Sequence, residues 1–260
     1  MADSHIRTPN IAVYCDFENV ALGIRDAKFP EFDWSLVLAR LLDKGKIVLK
    51  RAYCDWERFK SAKKGLHEAG FELIEVPHVS YSGKNSADIR MVVDALDLCY
   101  QKSHVDIFVL VTGDSDFSPL VGKLRENDKR VVGLGVKNST SNLLVESCDE
   151  FIYYDDLVER KKQVARKRKK QPRKNDKGSH GEVLDWVLDT AEALLADHDT
   201  VWGSMVKQAL KRKMPQFNES THGYRNFSEL LQDAQKRGLL RLEKDARSGG
   251  YRIMGTGSES

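Results

Sequence analysis

Two near-continuous apolar runs, Val105–Thr112 (VDIFVLVT) and Val131–Val136 (VVGLGV), narrow most sharply what this chain can fold into. A strand with one wet face alternates apolar and polar residues. A run without alternation is buried on both faces, as the central strands of a parallel sheet are. Three β-rich runs precede them: Ile11–Asp16 (IAVYCD), Ile47–Tyr53 (IVLKRAY) and Phe71–Val76 (FELIEV). Phe151–Tyr153 follows as a last strand. Helical stretches lie between. Asp33–Asp43 places Leu36, Val37 and Leu41 near one face, Ser86–Gln101 holds Ile89, Val92, Val93, Leu96 and Tyr100, and Pro119–Glu126 is shorter. This alternation predicts an α/β domain with a doubly wound parallel sheet over residues 1–158.

The formal net charge of the 260 residues is only +3, with 42 Lys and Arg against 39 Asp and Glu. That near-balance conceals a separation. Residues 159–177 hold 11 basic and 2 acidic side chains, whereas residues 1–158 hold 20 basic and 25 acidic. Like charges at such density resist compaction, so residues 159–180 are expected to form a disordered or weakly helical linker. Lys167, Arg168, Lys169 and Lys170 at its centre are candidate RNA contacts.

Beyond the linker, Val183, Leu184, Trp186, Val187, Ala191, Leu194 and Leu195 follow a helical period. A second helix over about 201–212 stops before Pro215, and a third over 227–237 ends at Gly238. Strand-like pieces at Leu239–Glu243 and Tyr251–Met254 flank a turn. Three helices and a two-stranded wing predict a small winged-helix domain over 181–254, with 255–260 as a flexible tail.

No apolar run approaches the ~20 residues of a membrane span, and the first residues lack the apolar core of a signal peptide. Cys15, Cys54, Cys99 and Cys148 are widely spaced, with no CxxC pair, and read as reduced thiols of a cytoplasmic protein.

In an open α/β sheet, ligands bind outside the carboxyl ends of the strands. Asp16 ends the first strand, Asp114 and Asp116 follow VDIFVLVT, and Asp88 opens the helix of KNSADIRMVVDAL. Taken singly, each could be a turn residue or a helix cap. Packed together, four carboxylates repel unless a cation neutralises them. A hard divalent ion, Mg²⁺ or Mn²⁺, takes oxygen ligands and can activate water at a phosphodiester. Asp94 lies six residues beyond Asp88, about 240° around the helix, and is a weaker candidate or a surface residue.

CDFENV, KNSADIRMVVDAL and LVTGDSDFSPLV resemble, in order and spacing, the three signature motifs of NYN domains, the PIN-like nucleases. The resemblance covers roughly residues 10–156. It implies a PIN-like fold and a Mg²⁺- or Mn²⁺-dependent ribonuclease, with Asp16, Asp88, Asp114 and Asp116 as metal-binding acids. It also implies that Asn19 accompanies the first acid, and that the Thr112 and Ser115 hydroxyls lie near the metals. A further acid of this family is matched by Asp55, Glu57 or Glu75, with no choice among them. Lys84 could meet a phosphate. Lys137, Asn138, Ser139 and Ser141 precede a helix and could do so too.

The string VWGSMVKQALKRKMPQFNESTHGYRNFSELLQDAQKRGLLRLEK resembles an OST-HTH/LOTUS domain. It implies a module that binds RNA or docks a protein partner, with Lys207, Lys211, Arg212 and Lys213 as its exposed basic stretch. Pro215, Phe217, Gly223, Tyr224 and Phe227 would set its core and turns. The expected partner is RNA, single-stranded or structured, without a membrane. A non-catalytic RNA-binding adaptor is the rival function. A different phosphate-transfer enzyme is a third, disfavoured by the lack of a Gly-rich phosphate loop.

Overall fold

A computed structural model describes residues 7–76, 85–170, 179–246 and 248–257. Lys84 lies outside them, as do the side chains of Lys167, Arg168, Lys169 and Lys170. The chain divides into two compact units, one of residues 1–38 and 45–167 and the other of residues 39–44 and 168–260.

The first unit is built on a six-stranded sheet of β1 (Asn10–Asp16), β2 (Lys46–Cys54), β3 (Glu72–Glu75), β4 (Ile107–Val111), β5 (Arg130–Gly135) and β6 (Glu150–Tyr153). All five pairings are parallel and the strand order is β3-β2-β1-β4-β5-β6. The order reverses direction between β1 and β4, which are therefore the innermost strands. Their inner residues Ile11 to Cys15 and Phe108 to Val111 are fully buried, as unbroken apolar runs require.

Seven helices accompany these strands: α1 (Phe17–Asp26), α2 (Trp34–Lys44), α3 (Lys63–Glu68), α4 (Ser86–Gln101), α5 (Ser118–Glu126), α6 (Asn142–Ser147) and α7 (Tyr154–Lys170). Two differences from the sequence reading are physical. In α4 the buried residues are Met91, Ala95 and Cys99, while Ile89, Val93 and Tyr100 face outward. These buried side chains share a core with Tyr14 and Tyr53 of the sheet. The second difference is α7, which runs across residue 158 into the basic segment. Lys and Arg are good helix formers, and Asp155 and Asp156 in its first turn complement the positive end of the helix dipole.

The second unit holds α8 (Ser179–Asp197), α9 (Gly203–Lys213) and α10 (Phe227–Lys236). Its sheet has three strands, not two: β7 (Val201–Trp202), β8 (Leu240–Lys244) and β9 (Tyr251–Thr256), in the order β7-β9-β8. Val201 and Trp202 pair antiparallel with Ile253 and Arg252 before the chain turns into α9. The last strand continues to Thr256, so Gly255 and Thr256 belong to the sheet rather than to a tail. Val187, Leu210, Phe217, Tyr224, Phe227 and Leu230 share one core. Gly223 caps a 3₁₀ turn at φ +81°, a left-handed conformation that glycine adopts without steric cost.

Among the described residues, no helix is long and apolar enough to cross a membrane. All four cysteines are free.

Candidate metal and nucleic-acid cleft

The reversal of strand order opens a crevice at the carboxyl ends of β1 and β4, the position where open α/β sheets bind ligands. Asp16, Asn19, Asp88, Asp114 and Asp116 line one cleft there, of about 490 Å³. The three sequence-distant acidic motifs thus converge on a single site.

Asp16 is set by two elements at once. It ends β1 and is the N-cap of α1, its Oδ1 accepting the Asn19 backbone N–H at 3.3 Å. Its Oδ2 accepts the hydroxyl of fully buried Thr112 at 3.0 Å. That hydroxyl oxygen also accepts the Asp114 N–H at 3.2 Å, so Thr112 links the acid of β1 to the turn after β4. Asn19 adds a second link, its side-chain oxygen accepting the Gly113 N–H at 2.8 Å. With that oxygen engaged, the amide NH₂ is the group Asn19 can offer the cleft. Asp114 accepts the Asp116 N–H at 2.9 Å and so caps a 3₁₀ turn over Ser115–Phe117 that leads into α5. Capping and lining the cleft are therefore compatible uses of the same carboxylates.

Gly113 is fixed by close approach. A Cβ there would run into the Ser139 carbonyl, and the Gly113 carbonyl accepts the Ser141 N–H at 2.9 Å. Gly113→Ala is expected to push the 137–141 turn away and displace Asp114. Thermal denaturation should show a loss of about 1–3 kcal/mol, the usual cost of overpacking. An unchanged melting temperature would mean that the turn yields freely.

The electrostatics are those of crowded like charges. Burial, then the charge of Asp88, pushes the Asp16 carboxyl up to about 7, against the opposing hydrogen bonds from Asn19 and Thr112. Burial, then Asp114, Asp116 and Glu18, pushes Asp88 up to about 6. Glu18, in the first turn of α1, also lines the cleft and is the acid that sequence reasoning missed. Asp55, Glu57 and Glu75 do not line it. Asp55 accepts the Glu57 N–H, Glu57 pairs with Lys60, and Glu75 accepts the Trp56 N–H.

Other candidates lie elsewhere. Asp94 accepts from the Tyr53 hydroxyl at 2.9 Å and Arg90 Nε at 3.0 Å and lines a separate recess. Ser115 opens the 3₁₀ turn without lining the cleft. Lys137 pairs with Asp156 and sits over the Tyr153 ring, while Ser139 and Ser141 serve the local turn. In the second unit Lys207 is held by Glu219 at 2.7 Å and lies over Phe227. Arg212 is half-buried, and Lys211 is exposed.

Among the described residues, no three His, Cys, Asp or Glu side chains already converge as a metal-ligand group. The donor set nevertheless fits a hard divalent cation. It is all oxygen, and its mutual repulsion is of the kind a cation relieves. Mg²⁺ keeps several waters and needs only one or two carboxylates directly.

The family model of the NYN domain matches residues 10–155, and that of the OST-HTH/LOTUS domain matches residues 182–250. An uncharacterized protein of Methanocaldococcus jannaschii is 28% identical over 126 residues, 48% of this chain and 49% of that protein. This chain thus spans about half the length of that curated relative. The crystal structure of a protein of unknown function from Vibrio parahaemolyticus superposes with a TM-score of 0.52 at 28% identity, covering 60% of this chain and 98% of that one. NYN domains belong to the PIN-like nuclease superfamily, and OST-HTH/LOTUS domains bind RNA. The chain belongs to the NYN-domain family, with its NYN domain followed by an OST-HTH/LOTUS domain.

Proposed function

We propose that this protein is a metal-dependent endoribonuclease that hydrolyses RNA phosphodiesters in the β1/β4 crevice. The observation that carries the reading is the gathering of Asp16, Asp88, Asp114 and Asp116 in one cleft at the strand-order reversal. Two of these carboxyls, Asp16 and Asp88, are raised above their ordinary range by burial and by neighbouring carboxylates.

On this reading Asp16, Asp88, Asp114 and Asp116 would hold Mg²⁺ or Mn²⁺. Such an ion, when bound, polarises a phosphoryl oxygen and lowers the pKa of water. The rest is done by the chain's own groups. Thr112 holds Asp16 and the Asp114 backbone in register. The Asn19 NH₂ is available to orient a phosphate oxygen or a water. The carboxylates serve as ligands, so none of them need accept the proton. The basic segment and the OST-HTH/LOTUS unit hold the strand, cutting and holding being assigned to separate parts of the chain. A cytoplasmic location is part of the same proposal.

Purified protein and a labelled single-stranded RNA test the reading. Cleavage should require Mn²⁺ or Mg²⁺, stop with excess EDTA and return when the ion is restored. Deleting residues 160–174 should weaken RNA binding most at low salt and flatten its salt dependence. Wild-type protein that binds RNA without cutting it under any divalent ion would favour the adaptor instead.

A further inference from the structure

Five carboxylates line the cleft, Glu18 included, and Arg58 is its only basic side chain among the described residues. A polyanionic strand must nonetheless enter. Arg58 stands in the loop between β2 and α3, and that loop is rigidly anchored. Trp56 is buried, with its backbone N–H donated to Glu75 Oε1 at 2.9 Å and its indole N–H to the Ile74 carbonyl at 3.0 Å. Phe17 packs against both Trp56 and Phe59, at ring distances of 5.2 and 5.6 Å. Phe17 is also the first residue of α1, directly after Asp16 and two before Asn19. The aromatic shelf therefore ties the base of Arg58 to the same helical turn that carries the site.

The guanidinium itself lies over the Phe59 ring, 5.8 Å from its centroid, and has one ion-pair partner among the described residues. It lies 3.5 Å from Glu18, with the two side chains 51% and 36% exposed. An exposed pair at that separation contributes little and is easily exchanged. Arg offers a planar fork of donors that matches the non-bridging oxygens of a phosphate.

We infer that Arg58 is a substrate-binding residue of the cleft, its guanidinium leaving Glu18 to take a backbone phosphate of the RNA strand beside the carboxylates. The inference rests on the nuclease reading for its substrate class, but not for its test. Its base is preorganised by the Phe17–Trp56–Phe59 shelf, so the exchange costs only a side-chain swing. Glu18 acts as a placeholder that keeps the guanidinium at the rim when no strand is bound.

The test uses the full chain and a labelled single-stranded oligoribonucleotide. In cleavage with Mn²⁺, Arg58→Ala should raise KM on the order of 10-fold, with a smaller change in kcat. Arg58→Lys should recover part of the loss, and Glu18→Gln should not raise KM. In an Asp114→Asn background, where the strand stays intact, fluorescence anisotropy should show the same ordering of affinities. A KM and an affinity unmoved by Arg58→Ala would overturn the inference, as would a loss accompanied by an equal fall in melting temperature for Arg58→Ala and Arg58→Lys alike. Inert wild type would defeat the nuclease reading alone, because the anisotropy series still decides the role of Arg58.

Discussion

Asp16→Asn should lower RNA cleavage on the order of 10²–10³-fold and at the same time raise the melting temperature of the metal-free protein at pH 8. The activity loss follows from removing one anionic ligand from a set whose cation supplies several kcal/mol of charge stabilisation, at about tenfold per 1.36 kcal/mol. The stability gain follows from the site's repulsion. Asp16 is 7% exposed and meets the charges of Asp88 and Asp114. An amide of the same shape keeps the cap to the Asn19 N–H and can donate to the Thr112 hydroxyl without carrying charge. Melting curves and cleavage rates measured on the same preparations check both halves. A variant that loses activity and stability together would mean that Asp16 serves chiefly as a structural cap.

The pH dependence has a definite sign. A carboxyl whose folded pKa is raised stabilises the fold, relative to its ionised form, fully below its ordinary value, and that contribution is lost as pH rises through the folded value. For Asp16 the window runs from about 4 to about 7, and for Asp88 from about 4 to about 6. The penalty for ionising Asp16 alone is on the order of 4 kcal/mol. The two do not simply add, because the raised value of Asp16 already includes the charge of Asp88. Metal-free wild type should therefore lose roughly 5–10 °C of melting temperature relative to Asp16→Asn between pH 5 and pH 8. Saturating Mn²⁺ should reverse the trend, since a cation that binds only the folded, ionised site stabilises by mass action. Parallel curves for the two proteins across that range would mean that Asp16 titrates normally.

Much of this site was legible in the residues because strand ends are. Asp16, Asp114 and Asp116 sit where apolar runs stop, and the end of a parallel strand is a predictable place in space. Asp88 is placed by the helix that crosses from β3 to β4. Glu18 was not legible as a site residue. Its position depends on α1 starting immediately after Asp16, and FENVALGIRD carries no cap signal other than Asp16 itself. The apolar residues noted in α4 do not all share its buried face: Val92 and Leu96 pack on the core, Ile89, Val93 and Tyr100 do not, and the smaller Ala95 and Cys99 are buried beside Met91. Val201 and Trp202 were read as the start of a helix, because a two-residue strand exists only through its pairing with β9. The basic segment was read as a disordered or weakly helical linker, and as far as Lys170 it is the helical alternative that appears, favoured by intrinsic helix propensity and the acidic first turn.

On the proposed function, the carboxylates of the β1/β4 crevice form one divalent-cation site. Calorimetric titration of Mn²⁺ at pH 6.5, in two buffers of different ionisation enthalpy, tests it most directly. The wild type should bind with proton release, because burial and Asp88 raise the Asp16 carboxyl to about 7 and it must ionise to coordinate. Asp16→Asn should bind more weakly and release fewer protons. Absence of binding by the wild type, or identical affinity and proton release in both proteins, would contradict the account.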